Sequence, residues 1–134
     1  MLGFHTKPLA QKLGYKSGYQ VMLFQAPDHY VELLQLPEAV SFTESAEPTS
    51  LDLIHLFLKE SAELVPTVSR HMPLLKKNGQ LWVSWPKGTS KIKTDLSRDP
   101  IRLAVLELGL VDVKVASVDQ DWSGLKFVYR SKDR

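Results

Sequence analysis

The chain of 134 residues has no cysteine. That excludes a disulfide framework, a thiolate nucleophile and any cysteine-ligated metal. Its four histidines, His5, His29, His55 and His71, are scattered without HxxxH or HxH spacing, so they do not supply a metal site either. An excess of one charge is lacking too. With 17 basic and 15 acidic residues the formal net charge is only +2, and no long basic run occurs, so composition gives nucleic acid little support as a partner. No apolar stretch approaches the roughly 18 residues of a membrane span. The opening residues, MLGFHTKPLAQKLGYKSG, hold no signal-type apolar core, so a cytoplasmic protein is the expectation. No GxSxG elbow is present from which a serine triad could be built.

What is present is ordinary globular composition, 43% hydrophobic and 24% charged, enough for one sizeable core. A single domain over residues 1–134 is expected, with 1–18 as a helical lead-in and 19–134 as the core. Two runs, LDLIHLFL at 51–58 and QLWVSWP at 80–86, are apolar almost throughout, as strands are when both faces are covered. They predict a parallel sheet between helices.

Around these runs the order alternates. Thr6 suits the cap of a short helix through Lys12, with Gly14 in the left-handed turn that ends it. Residues 19–26 (YQVMLFQA) predict a strand and 29–35 a short helix with Val31 and Leu34 inward. Residues 40–44 predict a brief second strand. Only about six residues then remain before the buried run, fewer than the dozen a parallel crossover normally takes. Either the link is an extended strap or this strand pairs antiparallel at an edge. Residues 61–77 place Leu64, Val68, Met72 and Leu75 at helical spacing, interrupted by Pro66 and Pro73. Lys76 and Lys77 suit that helix's C-terminal end, and Asn78-Gly79 a stop. Asp99-Pro100 reads as cap and first position of a helix whose stripe is Ile101, Ala104, Val105 and Leu108. Residues 110–119 and 125–130 predict an antiparallel hairpin turning at 120–124.

Four parallel-type strands with crossovers and a terminal hairpin resemble the class I methyltransferase-like Rossmann fold, shortened by one strand and helix in its first half. The resemblance implies a three-layer α/β domain with a mostly parallel sheet of about six strands. The words TKPLAQKLG, LWVSWPKGTSK, TDL, GLVDVKVASVD and DWSGLKFVYR further resemble a family of small bacterial domains of unknown function. That resemblance supports the fold and a bacterial origin and implies no reaction.

In such a sheet ligands bind outside the carboxyl ends of the strands, near the point where strand order reverses. The candidate edge carries Asp28 and His29 after the first strand, Glu44 after the second, Lys59 after the third, Trp85 and Lys87 at the end of the fourth, and Trp122 in the hairpin turn. A methyltransferase-type ligand loop needs glycine after its first strand, whereas this chain has Gln25-Ala26-Pro27-Asp28-His29. Glu44 stands about where an acidic residue would accept ribose hydroxyls. Asp28-His29 invites an acid/base reading, but Asp28 serves more simply as a helix cap. His55, in a buried strand, reads as a hydrogen-bonded core residue. Lys87, Lys91 and Lys93, with Thr89, Ser90 and Thr94, form a loop suited to a phosphate or carboxylate, and Trp85 and Trp122 are candidates for its apolar walls.

These features lead to a non-catalytic, degenerate methyltransferase-like domain that binds a small anionic ligand or a protein partner, with no cofactor established and no oligomeric state implied. The alternative is a small S-adenosylmethionine (SAM)- or nucleotide-dependent enzyme with an atypical, glycine-free cofactor loop. Nucleic-acid binding through the lysine loop is the least favoured reading.

Overall fold

The computed structural model describes residues 7–134; the Thr6 cap therefore lies outside the described residues. In chain order the elements are α1 (Leu9–Leu13), β1 (Gln20–Phe24), α2 (Tyr30–Leu34), β2 (Ser41–Phe42), β3 (Leu51–Phe57), α3 (Ser61–His71), β4 (Leu75–Pro86), α4 (Arg98–Glu107), β5 (Leu110–Ser117) and β6 (Trp122–Tyr129). One six-stranded sheet has the order β2-β1-β3-β4-β6-β5. The first four positions are parallel, and β6 runs antiparallel to both β4 and β5. The two apolar runs are thus neighbours pointing the same way, with Ile54 opposite Leu81 and Leu56 opposite Val83.

Alternation across the pleat divides the core in two. Leu53 and Phe57 of β3, with Trp82 of β4, face α1 and α2, where Leu9, Leu13, Tyr30 and Leu34 cover them. Ile54, Leu56, Leu81 and Val83 face α3 and α4, under Leu64, Val68, Ile101 and Val105. No described helix is long and apolar enough to cross a membrane.

Several boundaries differ from the sequence reading. The second strand is parallel to β1, with Gln20 opposite Ser41. Its link to β3 is the extended strap: Thr43 to Ser50 runs back along the α3 side, where Thr49 and Ser50 donate to the carbonyls of Pro73 and Leu74. At ~3.3 Å per extended residue these residues span a short strand without a helix. In α2 the inward residues are Tyr30 and Leu34, while Val31 is 42% exposed. Helix α3 contains Pro66 but ends at His71, followed by a 3-10 turn over Met72–Leu74. Residues 75–79 then belong to β4, because Leu75 pairs with Leu51 and Gln80 with Leu53, so the intervening residues bulge out of register. Gly79 is needed there, since a Cβ would meet the Leu75 side chain at 2.6 Å. Helix α4 starts at Arg98 with Ser97 as its cap, which puts Asp99 and Pro100 inside the first turn. The hairpin is antiparallel as expected and turns tighter, β6 beginning at Trp122.

Candidate functional site

Strands β1 and β3 are neighbours, but the chain leaves β1 toward β2 on one side and leaves β3 toward β4 on the other. The crevice between their carboxyl ends is the switch point of an open sheet. A cleft of about 560 Å³ lies there, lined by Gln25 after β1 and by Lys59, Glu60 and Glu63 at the β3–α3 junction. Gln25 takes a left-handed conformation, φ 57°. Glycine adopts that turn without a Cβ penalty, whereas glutamine brings a side chain into the cleft. The sharp turn after β1 is therefore kept, and the open cradle is not.

The remaining rim residues fall into three groups. Glu44 follows β2 and, with Leu23, Phe42 and Thr43, lines a separate depression of about 370 Å³. Asp28 is exposed and does not cap α2; His29 is the capping position and makes no side-chain cap bond. The His29 ring instead reaches across the rim, with Nε2 2.7 Å from Asp119 Oδ2 in the hairpin turn. Asp119 Oδ1 accepts the amides of Asp121 and Trp122, each at 2.8 Å. Partial burial works to raise the Asp119 pKa, but the bonds from His29 and the two amides outweigh it and hold the carboxyl below its usual value.

The loop after β4 is anchored at both ends. At its start the Lys87 amide donates to the Asp121 carbonyl, and Lys87 Nζ lies 2.6 Å from Ser117 Oγ. At its end Thr94 Oγ1 and the Asp95 amide donate to the Lys59 carbonyl. The Asp95 carboxylate accepts the Ser61 amide at 2.7 Å and its hydroxyl at 2.8 Å, which caps α3 and lowers the Asp95 pKa. Lys87 is thereby turned toward the hairpin. Lys91 lines a different depression together with Ser90 and Asp121, and Lys93 is exposed. The three lysines do not converge. Trp85 is buried on the α3/α4 side and Trp122 on the α1/α2 side, so the two indoles do not flank one ligand.

His55 is a core residue, as expected. It is fully buried, with Nδ1 2.7 Å from Tyr30 Oη and Nε2 2.6 Å from Ser84 Oγ. Glu63, Asp95 and Asp119 were not nominated by the sequence reading, which placed Gln25 in the turn after the first strand and Glu60 beside Lys59 at the edge. Glu63 lies in the first turn of a helix whose start was legible, whereas Asp95 is placed by Ser61, 34 residues away, and Asp119 by His29 together with the nearby amides of Asp121 and Trp122.

No protein-family model matches the chain, and neither does any curated protein. Solved structures do. A SAM-dependent methyltransferase from Aquifex aeolicus superposes with TM-score 0.63 at 13% identity, over 87% of this chain and 85% of that one. A methyltransferase from Burkholderia thailandensis, solved with 1,6-didemethyltoxoflavin and S-adenosylhomocysteine bound, gives 0.58 at 11%, over 90% and 76%. A TehB-like SAM-dependent methyltransferase from Corynebacterium glutamicum gives 0.57 at 11%, over 96% and 90%. The fold is methyltransferase-like.

Identity this low speaks for the scaffold alone. The methyltransferase-like sheet nevertheless explains why the switch-point cleft is open: β1 and β3 are paired side by side, but the chain continues from them to helices on opposite faces, α2 on one and α3 on the other.

Proposed function

We propose that the chain is a methyltransferase-type domain that binds SAM in the cleft between β1 and β3. The observation that carries this reading is the cleft's place at the switch point, open and lined by polar side chains. Lys59 offers a point charge to the ligand's carboxylate, and Glu60 or Glu63 offers an acceptor to its amino group. Glu44, one strand over, is the candidate for the ribose hydroxyls. Gln25 contributes a side-chain amide where a glycine-rich loop would contribute backbone.

Thermal shift tests it. Ligand at about 100 times its dissociation constant adds roughly 2.7 kcal/mol, expected to raise the melting point by on the order of 10 °C at this size. SAM and S-adenosylhomocysteine should both shift the protein, and Lys59→Gln should weaken the shift. No shift with either at millimolar concentration removes the reading.

A second reading is favoured by the Gln25 side chain and the glycine-free loop: a degenerate, non-catalytic domain whose carboxyl edge binds a small anionic ligand or a protein partner. It predicts that the wild type forms no S-adenosylhomocysteine from SAM with any acceptor panel. Detecting that product by mass spectrometry would eliminate it.

A further inference from the structure

Five lysines from four segments meet on the α1 side of the sheet, outside the switch-point cleft. Lys114 of β5 is paired directly with Lys126 of β6, and Lys126 with Trp82 of β4, a residue of the α1/α2 core cluster. Cross-strand partners share a face, so both ammonium groups point to the side on which α1 packs. Lys114 Nζ donates to the Lys12 carbonyl at 2.8 Å, and Lys12 Nζ to the Ser117 carbonyl at 2.9 Å. Ser117 also takes Lys87 through its hydroxyl. Lys16 is exposed in the turn that follows α1, four residues on from Lys12; burial, then the charges of Lys114 and Lys16, lower the pKa of Lys126. The result is a continuous chain: Lys87, Lys12, Lys114, Lys126, Lys16.

The acceptors that hold this chain are neutral. All 15 acidic residues lie within the described residues, and none forms an ion pair with any of the five lysines. Asp119, near the rim end, is occupied by His29, and Asp112 on the opposite face by Arg102. Setting the five aside turns the chain's formal +2 into −3, so the molecule is basic along one track and acidic elsewhere. Like charges placed directly opposite on a hairpin cost stability. An arrangement that costs the free protein something, and that an anion would relieve, calls for an anionic occupant. The track contains no arginine, hence no fork for bidentate carboxylate or guanine recognition. A line of point charges fits repeated phosphates read without sequence.

We propose that this lysine track docks the phosphodiester backbone of a single-stranded nucleic acid. The sequence hid it because its members lie at positions 12, 16, 87, 114 and 126 and form no run. The proposal stands apart from SAM binding and survives that reading's failure.

Fluorescence anisotropy with a labelled, mixed-sequence 20-nucleotide RNA tests it on the full chain. Five phosphate contacts give a log–log salt slope of about −3.5 for a single strand, so affinity should fall on the order of 100-fold between 50 and 200 mM salt. Lys114→Gln/Lys126→Gln should weaken binding at 50 mM salt at least tenfold and flatten the slope by about 1.4. Its melting temperature should stay close to that of the wild type, since relief of the like-charge pair offsets the lost bond from Lys114 to the Lys12 carbonyl. Lys16→Gln, at an exposed position between α1 and β1, should also weaken binding, so the result does not hang on the hairpin's folding. The charge-matched control Lys77→Gln/Lys132→Gln, at exposed positions outside the track, should bind as the wild type does. No saturable binding at 50 mM salt, or equal losses in track and control variants, would overturn the proposal. So would competition by polyglutamate as effective as by unlabelled RNA, which would assign the track to an acidic protein.

Discussion

At pH 7 the His55 ring is neutral, because complete burial lowers its pKa from 6.5 to about 3. In the unfolded chain the same ring titrates near its ordinary value. As pH falls below about 6.5 the unfolded state takes up a proton that the folded state refuses, so the contribution is present above that pH and is lost on the way down to about 3. At ~1.4 kcal/mol per unit the full loss is on the order of 5 kcal/mol. His55→Leu should flatten this dependence in urea denaturation at pH 7 and pH 4. It should also destabilise at pH 7, because Tyr30 Oη and Ser84 Oγ lose a partner. An unchanged difference between the two pH values would show that His55 does not govern it. Two glycines make a sharper comparison. Gly14 has φ 90°, and a Cβ there would meet the buried Gln80 side chain, whereas Gly18 has φ 81° with nothing within 4 Å. Gly18→Ala should cost about 1 kcal/mol from the backbone alone. Gly14→Ala should cost visibly more in the same denaturation series. The Gly14 turn was legible in the sequence because a helix end is local. The His29–Asp119 pair was not, since a cap at Asp28 looked sufficient and Asp119 lies 90 residues away.

Elements were legible where their signal is periodic or continuous, and misread where a neighbouring strand decides. The buried runs of β3 and β4 announced themselves by unbroken apolar character. The end of α3 did not. Helical spacing carries on through Met72 and Leu75, but pairing of Leu75 with Leu51 draws the chain into the sheet after a single 3-10 turn. Pro66 sits inside α3, where it removes one helical hydrogen bond and crowds the preceding turn. Its side chain is exposed, so substitution disturbs no core contact. Pro66→Ala should therefore stabilise the fold by roughly 1 kcal/mol, a conservative fraction of the helix-interior penalty for proline. A higher denaturation midpoint with an unchanged m-value is the expected readout. A fall in stability would mean that the kink itself is needed to seat Leu64 and Val68.

On the scale of the molecule, the segment that looked like a lead-in is a structural part of the sheet's cover. Leu9, Ala10 and Leu13 of α1 are buried, and the Leu13 carbonyl accepts the Trp82 indole N–H at 2.8 Å. Lys12 on the same helix joins Ser117 and Lys114 of the hairpin, so α1 ties the first residues described to the last strands. Burial of two leucines and an alanine contributes roughly 4–6 kcal/mol, comparable with the whole stability of many domains. Leu13→Ala should cost about 2–5 kcal/mol by opening a cavity beneath Trp82. Deleting residues 1–14 should go further and leave Trp82, Tyr15 and Tyr30 facing water. The truncated chain should then show red-shifted tryptophan emission, dye binding and loss of a cooperative thermal transition. A peptide of residues 1–18 added in trans should restore blue-shifted emission if α1 docks as a preformed cover. Emission and melting unchanged by the deletion would show instead that the strands and three remaining helices suffice, and that α1 rests on the sheet without holding it.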